Sequence, residues 1–370
     1  MWLEMTQKQF FIYYFVILAV CILIYELLRF IKHRSDKGVT MFFIIIISWL
    51  MGNRPFDVAD TQVYYNVWNR MITYGDISFL SNTRIYNMEV LFVYLMKISR
   101  EMSVTFPMFM CLVAFIIYVS GIYSINKIVK LIYKKEKDDY LLCLILFMSY
   151  FGIHYGGIAV RAGLSISLGL LAFSFYLENK YIKAALLFVV SFLFHTVGLL
   201  WLVIVVLWHI KDFLKLTRYW AIWLIIFILM LTNLSGRFTQ LISRVIQRFF
   251  GVFRLAGFSN YLNNFDFAVG KKDLLICFSF GFLMLIVHDN IKENNKFLKV
   301  VLAGLVILGF LYPIRAITRA VDYFFVLAIV PSVNYLEKRK LVNKGMLVYK
   351  IATCSLLVVF AILQVNNCYK

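Results

Sequence analysis

The residues most able to do chemistry stand where their side chains are expensive to keep. His195 lies in Phe192-Leu193-Phe194-His195-Thr196, inside the apolar run from Ala184 to Trp208. A histidine there is either a hydrogen-bonded structural group or a proton-transfer group with a pKa near working pH. Arg161 lies in Gly156-Gly157-Ile158-Ala159-Val160-Arg161-Ala162-Gly163, where the chain is expected to turn back into an apolar span. A guanidinium is always charged and costs several kcal/mol near a bilayer centre, so phosphate is its natural partner at such a place. The structural alternative is an arginine snorkelling to the headgroups.

A second group follows Arg54-Pro55. Asp57, Asp60 and Tyr64 fall at i, i+3 and i+7, one face of a helix expected to start just after Pro55. Two carboxylates and a phenol at a membrane surface could orient sugar hydroxyls or supply a general base, although Asp57 could equally cap the helix. Trp68 and Tyr65 offer rings that stack on sugars or anchor the chain at the interface. Glu89 and His154 join Tyr64 and Trp68 as candidate sugar ligands.

Two further arginine sets are regular. Arg237, Arg244 and Arg248 lie within about 20° of one line on a helical wheel, with Phe238, Ile242, Val245, Ile246 and Phe249 around them. Such an amphipathic helix lies on a membrane surface, and its stripe suits anionic lipid or a pyrophosphate. Arg315, Arg319 and Asp322 fall at i, i+4 and i+7. Arg319 and Asp322 can form a surface ion pair worth a few tenths of a kcal/mol, which leaves Arg315 as a phosphate ligand.

The elements that must position these residues are membrane helices. Of 370 residues 62% are apolar and 15% charged, too little charge for a water-soluble surface. Runs such as Phe10 to Phe30, Leu141 to Tyr155, Tyr219 to Leu234, Leu274 to Val287, Val300 to Pro313 and Leu347 to Leu363 approach the ~20 residues that cross a bilayer. Unbroken apolar runs exclude the alternating pattern of a barrel, so the fold class is all-α: one polytopic membrane domain over residues 1–370. The first run is expected to stay as an anchor rather than be cleaved.

The net charge of +19 resides in short basic clusters between spans, the signature of cytoplasmic loops rather than of nucleic-acid binding. Loops of about 53–84 and 235–273 fall on the other side. Strict alternation then fails twice. The run Ala184 to Trp208 is about 37 Å long as a straight helix, enough to cross once, yet both flanks are basic. The chain is therefore expected to enter, break near His195, Thr196 and Gly198, and return. Ile85 to Ser99 is expected to be a partial or re-entrant helix. About ten or eleven full crossings remain.

Absent motifs exclude several classes. There is no Walker loop, no Gly-x-Gly-x-x-Gly, no His-Glu-x-x-His and no Asp-x-Asp. The six cysteines show no metal spacing, so neither disulfide, metal nor other cofactor is expected.

Five segments in order carry a family resemblance: Asp60-Thr61-Gln62-Val63-Tyr64, Met88-Glu89-Val90-Leu91-Phe92, Val160-Arg161-Ala162-Gly163-Leu164-Ser165-Ile166-Ser167, Phe192-Leu193-Phe194-His195-Thr196 and Arg319-Ala320-Val321-Asp322-Tyr323-Phe324. The chain resembles the EpsG/Wzy family of bacterial exopolysaccharide and O-antigen polymerases. It departs from the usual pattern at Ala162 and Ser165, where glutamine and alanine are common. The resemblance implies a GT-C-like architecture in a bacterial cytoplasmic membrane. It also implies metal-free transfer of a growing glycan from undecaprenyl pyrophosphate to a lipid-linked repeat unit on the outer face. A chain-length regulator and a flippase are the expected protein partners, with no nucleic acid. In that reaction Arg161, Arg315, Arg319, Arg237, Arg244 and Arg248 would steady the departing oxyanions, and His195 or Asp60 would be the base. A flippase of lipid-linked oligosaccharide is the alternative, weakened by the lack of two similar halves. An acyltransferase using His195 is a third reading, weakened by the lack of a polar partner nearby in sequence.

Overall fold

The computed structural model describes residues 5–31, 36–70, 88–210, 216–238, 270–287, 292–312 and 317–338. No strand occurs among them, and they form two compact units, one running to Trp201 and one beginning at Leu202. Helix throughout is what lipid demands, since each segment must satisfy its own backbone. Five described helical stretches are long and apolar enough to cross a membrane: Gln7–Phe30, Phe106–Tyr133, Val160–Leu177, Asn294–Leu311 and Arg319–Glu337. The protein is a polytopic membrane protein.

The first unit contains α1 (Gln7–Phe30), α2 (Lys37–Gly52), α3 (Thr61–Arg70), α4 (Val90–Glu101), α5 (Phe106–Tyr133), α6 (Tyr140–Phe147), α7 (Val160–Leu177) and α8 (Tyr181–Phe194). A reciprocal Thr6–Gln9 capping box starts α1. α5 packs against α2, α6 and α7. At the lysine-rich end the Asp36 carboxylate accepts the backbone N–H groups of Tyr140 (3.2 Å) and Leu141 (2.6 Å), fastening the start of α6 to the start of α2. Asn126 and Lys130 of α5 both donate to Asp138 at 2.9 Å, closing the same corner.

Beyond Phe147 the chain widens into π-turns over Met148–Gly152 and His154–Ile158. Wide turns leave carbonyls without their usual donors, and the Tyr14 hydroxyl supplies one to Met148 at 2.6 Å. The chain then folds back so tightly that a Cβ at Gly163 would overlap the Tyr155 carbonyl. This reversal puts Arg161 in the first turn of α7.

α7 and α8 approach through small residues, with the Ser165 and Ser191 hydroxyls 3.0 Å apart and Ser191 also donating to the Ser165 carbonyl at 2.8 Å. α8 is 14 residues, about 21 Å, and ends at His195, whose backbone is extended at φ −160°. A 3₁₀ turn, Thr196–Leu199, leads into α9 (Leu200–His209). By Trp201 the chain has doubled back. That indole lies 6.1 Å from the Phe173 ring and 6.5 Å from the Phe188 ring, in a space that a Cβ on Gly169 would fill. The expected break near His195 is therefore present, as a hairpin with His195 at its tip.

One expectation is corrected and one is met. No helix starts after Pro55. Residues 55–60 form consecutive turns, with Val58 N–H to Pro55 O at 3.2 Å and Thr61 N–H to Val58 O at 3.1 Å, and α3 starts at Thr61. Asp60 has a left-handed backbone at φ 63°, which breaks the shared face expected for Asp57, Asp60 and Tyr64. The segment beside Glu89 is the partial helix expected, Val90–Glu101, 12 residues and about 18 Å, too short to cross.

In the second unit α10 (Leu216–Leu231), α11 (Lys271–Val287) and α12 (Lys292–Leu311) pack together, and α12 also packs on α13 (Ile317–Phe325), which leads into α14 (Ile329–Lys338). Trp223 donates from its indole to the Cys277 carbonyl at 3.1 Å, and Phe280 stacks on Phe325 at 4.3 Å.

Candidate active site

Three of the candidate residues of the first unit, Glu89, Arg161 and His195, converge at the end of the bundle where α7 begins and α8 stops. α4 starts there with Glu89 at its N-cap, backbone extended, so that its carboxylate lies near the positive end of that helix. Arg161 reaches across from α7 and bonds Glu89 Oε2 through Nη1. His195 comes from the hairpin tip, with Nε2 3.8 Å from Glu89 Oε1. One carboxylate is thus held between a guanidinium and an imidazole from two other elements. All three side chains are mostly buried, yet 16–22% of their surface remains open.

Tyr64 of α3 forms the wall beside this group. Its ring is 1% exposed, stands 5.5 Å from Phe92 of α4, and has the Arg161 guanidinium carbon 5.8 Å from its centroid. Its hydroxyl also interacts with Arg161. Burial and the nearby Asp60 charge push the phenol above its ordinary pKa, against the pull of Arg161 and Arg54, so Tyr64 stays a neutral hydroxyl.

Arg54, which in the sequence merely precedes the Asp57, Asp60 and Tyr64 group, is 1% exposed behind Tyr64. Its Nε donates to Thr61 Oγ1 at 2.7 Å and its Nη1 to the Met51 carbonyl at 3.2 Å, so one side chain joins the end of α2 to the start of α3. Nη2 is buried with no hydrogen-bond acceptor among the described residues. Burial lowers its pKa to about 10 against the pull of Tyr64 and Asp60, which leaves it charged at neutral pH. The sequence did carry a signal: an arginine two residues past an apolar helix and directly before a proline.

His195 also caps the 3₁₀ turn. Its Nδ1 accepts the Val197 N–H at 3.2 Å. Gly198 sits where a Cβ would press on Ser165 Oγ (2.8 Å) and on the Phe192 backbone, so the tip folds tightly against α7 and α8.

The other expected site residues lie elsewhere. Trp68 is 6% exposed and packs α3 on α5 through Phe106 (5.7 Å) and Phe109 (5.2 Å). His154 lies in the π-turn segment, its ring edge-on to Tyr155 at 4.7 Å. In the second unit Arg237 and Arg319 are exposed. Arg244, Arg248 and Arg315 lie outside the described residues. Among the described residues no cluster of three His, Cys, Asp or Glu could hold a metal ion.

The arrangement offers a carboxylate able to take a proton, an imidazole and a neutral phenol able to donate hydrogen bonds, and two buried cations. No curated protein and no solved structure matches the chain. The model of the EpsG family matches residues 37–369, a stretch that includes Arg54, Tyr64, Glu89, Arg161 and His195, and the chain belongs to that family.

Proposed function

We propose that this protein polymerises a polysaccharide by moving a growing glycan from a polyprenyl pyrophosphate, undecaprenyl pyrophosphate in bacteria, onto a lipid-linked oligosaccharide repeat unit at the outer face of the cytoplasmic membrane. Membership of the EpsG family points to a polysaccharide polymerase of glycosyltransferase type. The observation that carries the finer reading is the Glu89–Arg161–His195 group at the tip of a helical hairpin within an apolar bundle. A site set within an apolar bundle favours a lipid-linked sugar over a soluble sugar nucleotide as donor.

Displacing pyrophosphate from an anomeric carbon requires cations beside the leaving oxygens and a base beside the incoming hydroxyl. Arg161 offers the first: its Nη1 is engaged with Glu89, while its Nε has no acceptor among the described residues. The base comes from Glu89, His195 or Asp60. Tyr64, held neutral, offers a hydroxyl to a sugar.

The test is the lipid-linked product in cells. Replacing Arg161 or His195 by alanine is expected to abolish long chains while single repeat units stay on lipid at the outer face, a loss of about 100-fold or more in polymer. Accumulation of single units at the cytoplasmic face would mean a flippase instead.

A further inference from the structure

We infer that Glu89 is the base of this reaction and that His195 is fixed as a hydrogen-bond donor that orients the acceptor hydroxyl, an assignment that rests on the polymerase reading above. A neutral imidazole has one lone pair. At His195 that lone pair lies on Nδ1 and accepts the Val197 N–H at 3.2 Å, so the neutral ring carries its proton on Nε2. To act as a base, His195 would have to give up the cap of the 3₁₀ turn at the hairpin tip. As placed, Nε2–H can only donate.

Nε2 stands 3.8 Å from Glu89 Oε1. This is longer than a hydrogen bond and suits a third group that touches both atoms side by side. A sugar hydroxyl there would accept a hydrogen bond from Nε2–H while pointing its own proton at Oε1. The carboxylate cannot swing away, because Arg161 holds Oε2 and the N-terminus of α4 fixes the backbone. His195 is then a positioning residue, and Glu89 the group that takes part in bond making.

The step balances. The acceptor oxygen forms its bond to the anomeric carbon as its O–H bond breaks and the proton passes to Glu89 Oε1. The bond from that carbon to the pyrophosphate oxygen breaks, and its electron pair leaves with the pyrophosphate. Protonating Glu89 removes the negative charge that had neutralised Arg161. The guanidinium therefore gains free positive charge as the leaving group gains negative charge, with no movement of either side chain. Base and electrostatic stabiliser are coupled through one ion pair.

The experiment uses the full chain in lipid nanodiscs with lipid-linked repeat units, reading chain extension. Glu89→Gln is expected to lose at least about 100-fold, and Glu89→Ala to regain activity with added formate, which replaces the missing carboxylate and at the same time proves the variant folded. His195→Gln, which keeps an N–H near the Nε2 position, should stay within about tenfold of the unmutated protein. His195→Asn keeps the cap but lacks the reach, and should fall further. Failure of formate to restore Glu89→Ala, or full activity of Glu89→Gln, would overturn the assignment and leave the polymerase reading standing. So would rescue of His195→Ala by imidazole with Glu89→Gln still active. If the unmutated protein extends nothing, the polymerase reading falls and this assignment with it.

Discussion

A guanidinium as enclosed as that of Arg54 costs free energy that its neighbours must offset, and they do so unevenly. Thr61 and the Met51 carbonyl take two of its donors, while Asp60 and Tyr64 contribute electrostatically. The bridge from α2 to α3 is what sets the height of Tyr64 beside Arg161. Lysine keeps the charge but presents a single nitrogen, which cannot reach both acceptors in the same geometry. Arg54→Lys is therefore expected to leave one buried acceptor unpaired, at a cost of about 1–3 kcal/mol. Thermal unfolding of the detergent-purified protein should shift to lower temperature, and polymer yield should fall with it. An unchanged unfolding temperature together with full yield would show that the bridge does not hold α3.

At the scale of elements the hairpin tip depends on how closely the returning chain can approach α7. Gly169 gives the Trp201 indole its place, and Phe173 and Phe188 line the remaining sides. Gly169→Ala should push the indole out and shift the tip that carries His195, with overpacking of about 1–3 kcal/mol. Adding Trp201→Leu should restore part of the lost polymer, since the smaller side chain vacates the same space. If the double variant is no better than the worse single one, the two residues do not share that space. The reversal itself was legible in the sequence, because a run long enough to cross was flanked by lysine on both sides. Its chemical partner was not: Glu89 and Arg161 are 72 positions apart and meet only through the packing of α4, α7 and α8. The start of α3 was misread for a local reason. Helical spacing of Asp57, Asp60 and Tyr64 does not reveal that a buried arginine and two tight turns hold residues 55–60 out of a helix.

For the molecule as a whole the question is on which side of the membrane this chemistry happens, and charge and length together give an expectation to test. Lys180 precedes α8 and Lys183 lies in its first turn, and basic residues from Lys211 to Arg218 follow the apolar run, so the positive-inside rule assigns both flanks to the cytoplasm. A helix of 14 residues rises about 21 Å, so counted from a start at the cytoplasmic surface along the bilayer normal His195 would come to within about 9 Å of the far surface of a ~30 Å hydrocarbon core. Under the proposed function a site at that depth would open to the outer face, where a flipped lipid-linked sugar would present its pyrophosphate and hydroxyls. Single cysteines test this in intact cells in which the native cysteines have been replaced. Thr196→Cys should react with a membrane-impermeant maleimide added outside, whereas Lys180→Cys and Lys211→Cys should react only after the membrane is opened. Labelling of Lys211→Cys from outside would mean that the run crosses once, and the loops that follow it would change sides. Labelling of Thr196→Cys only from the cytoplasm would put the Glu89–His195 pair on the side where sugars are assembled, and the donor would have to be met before export.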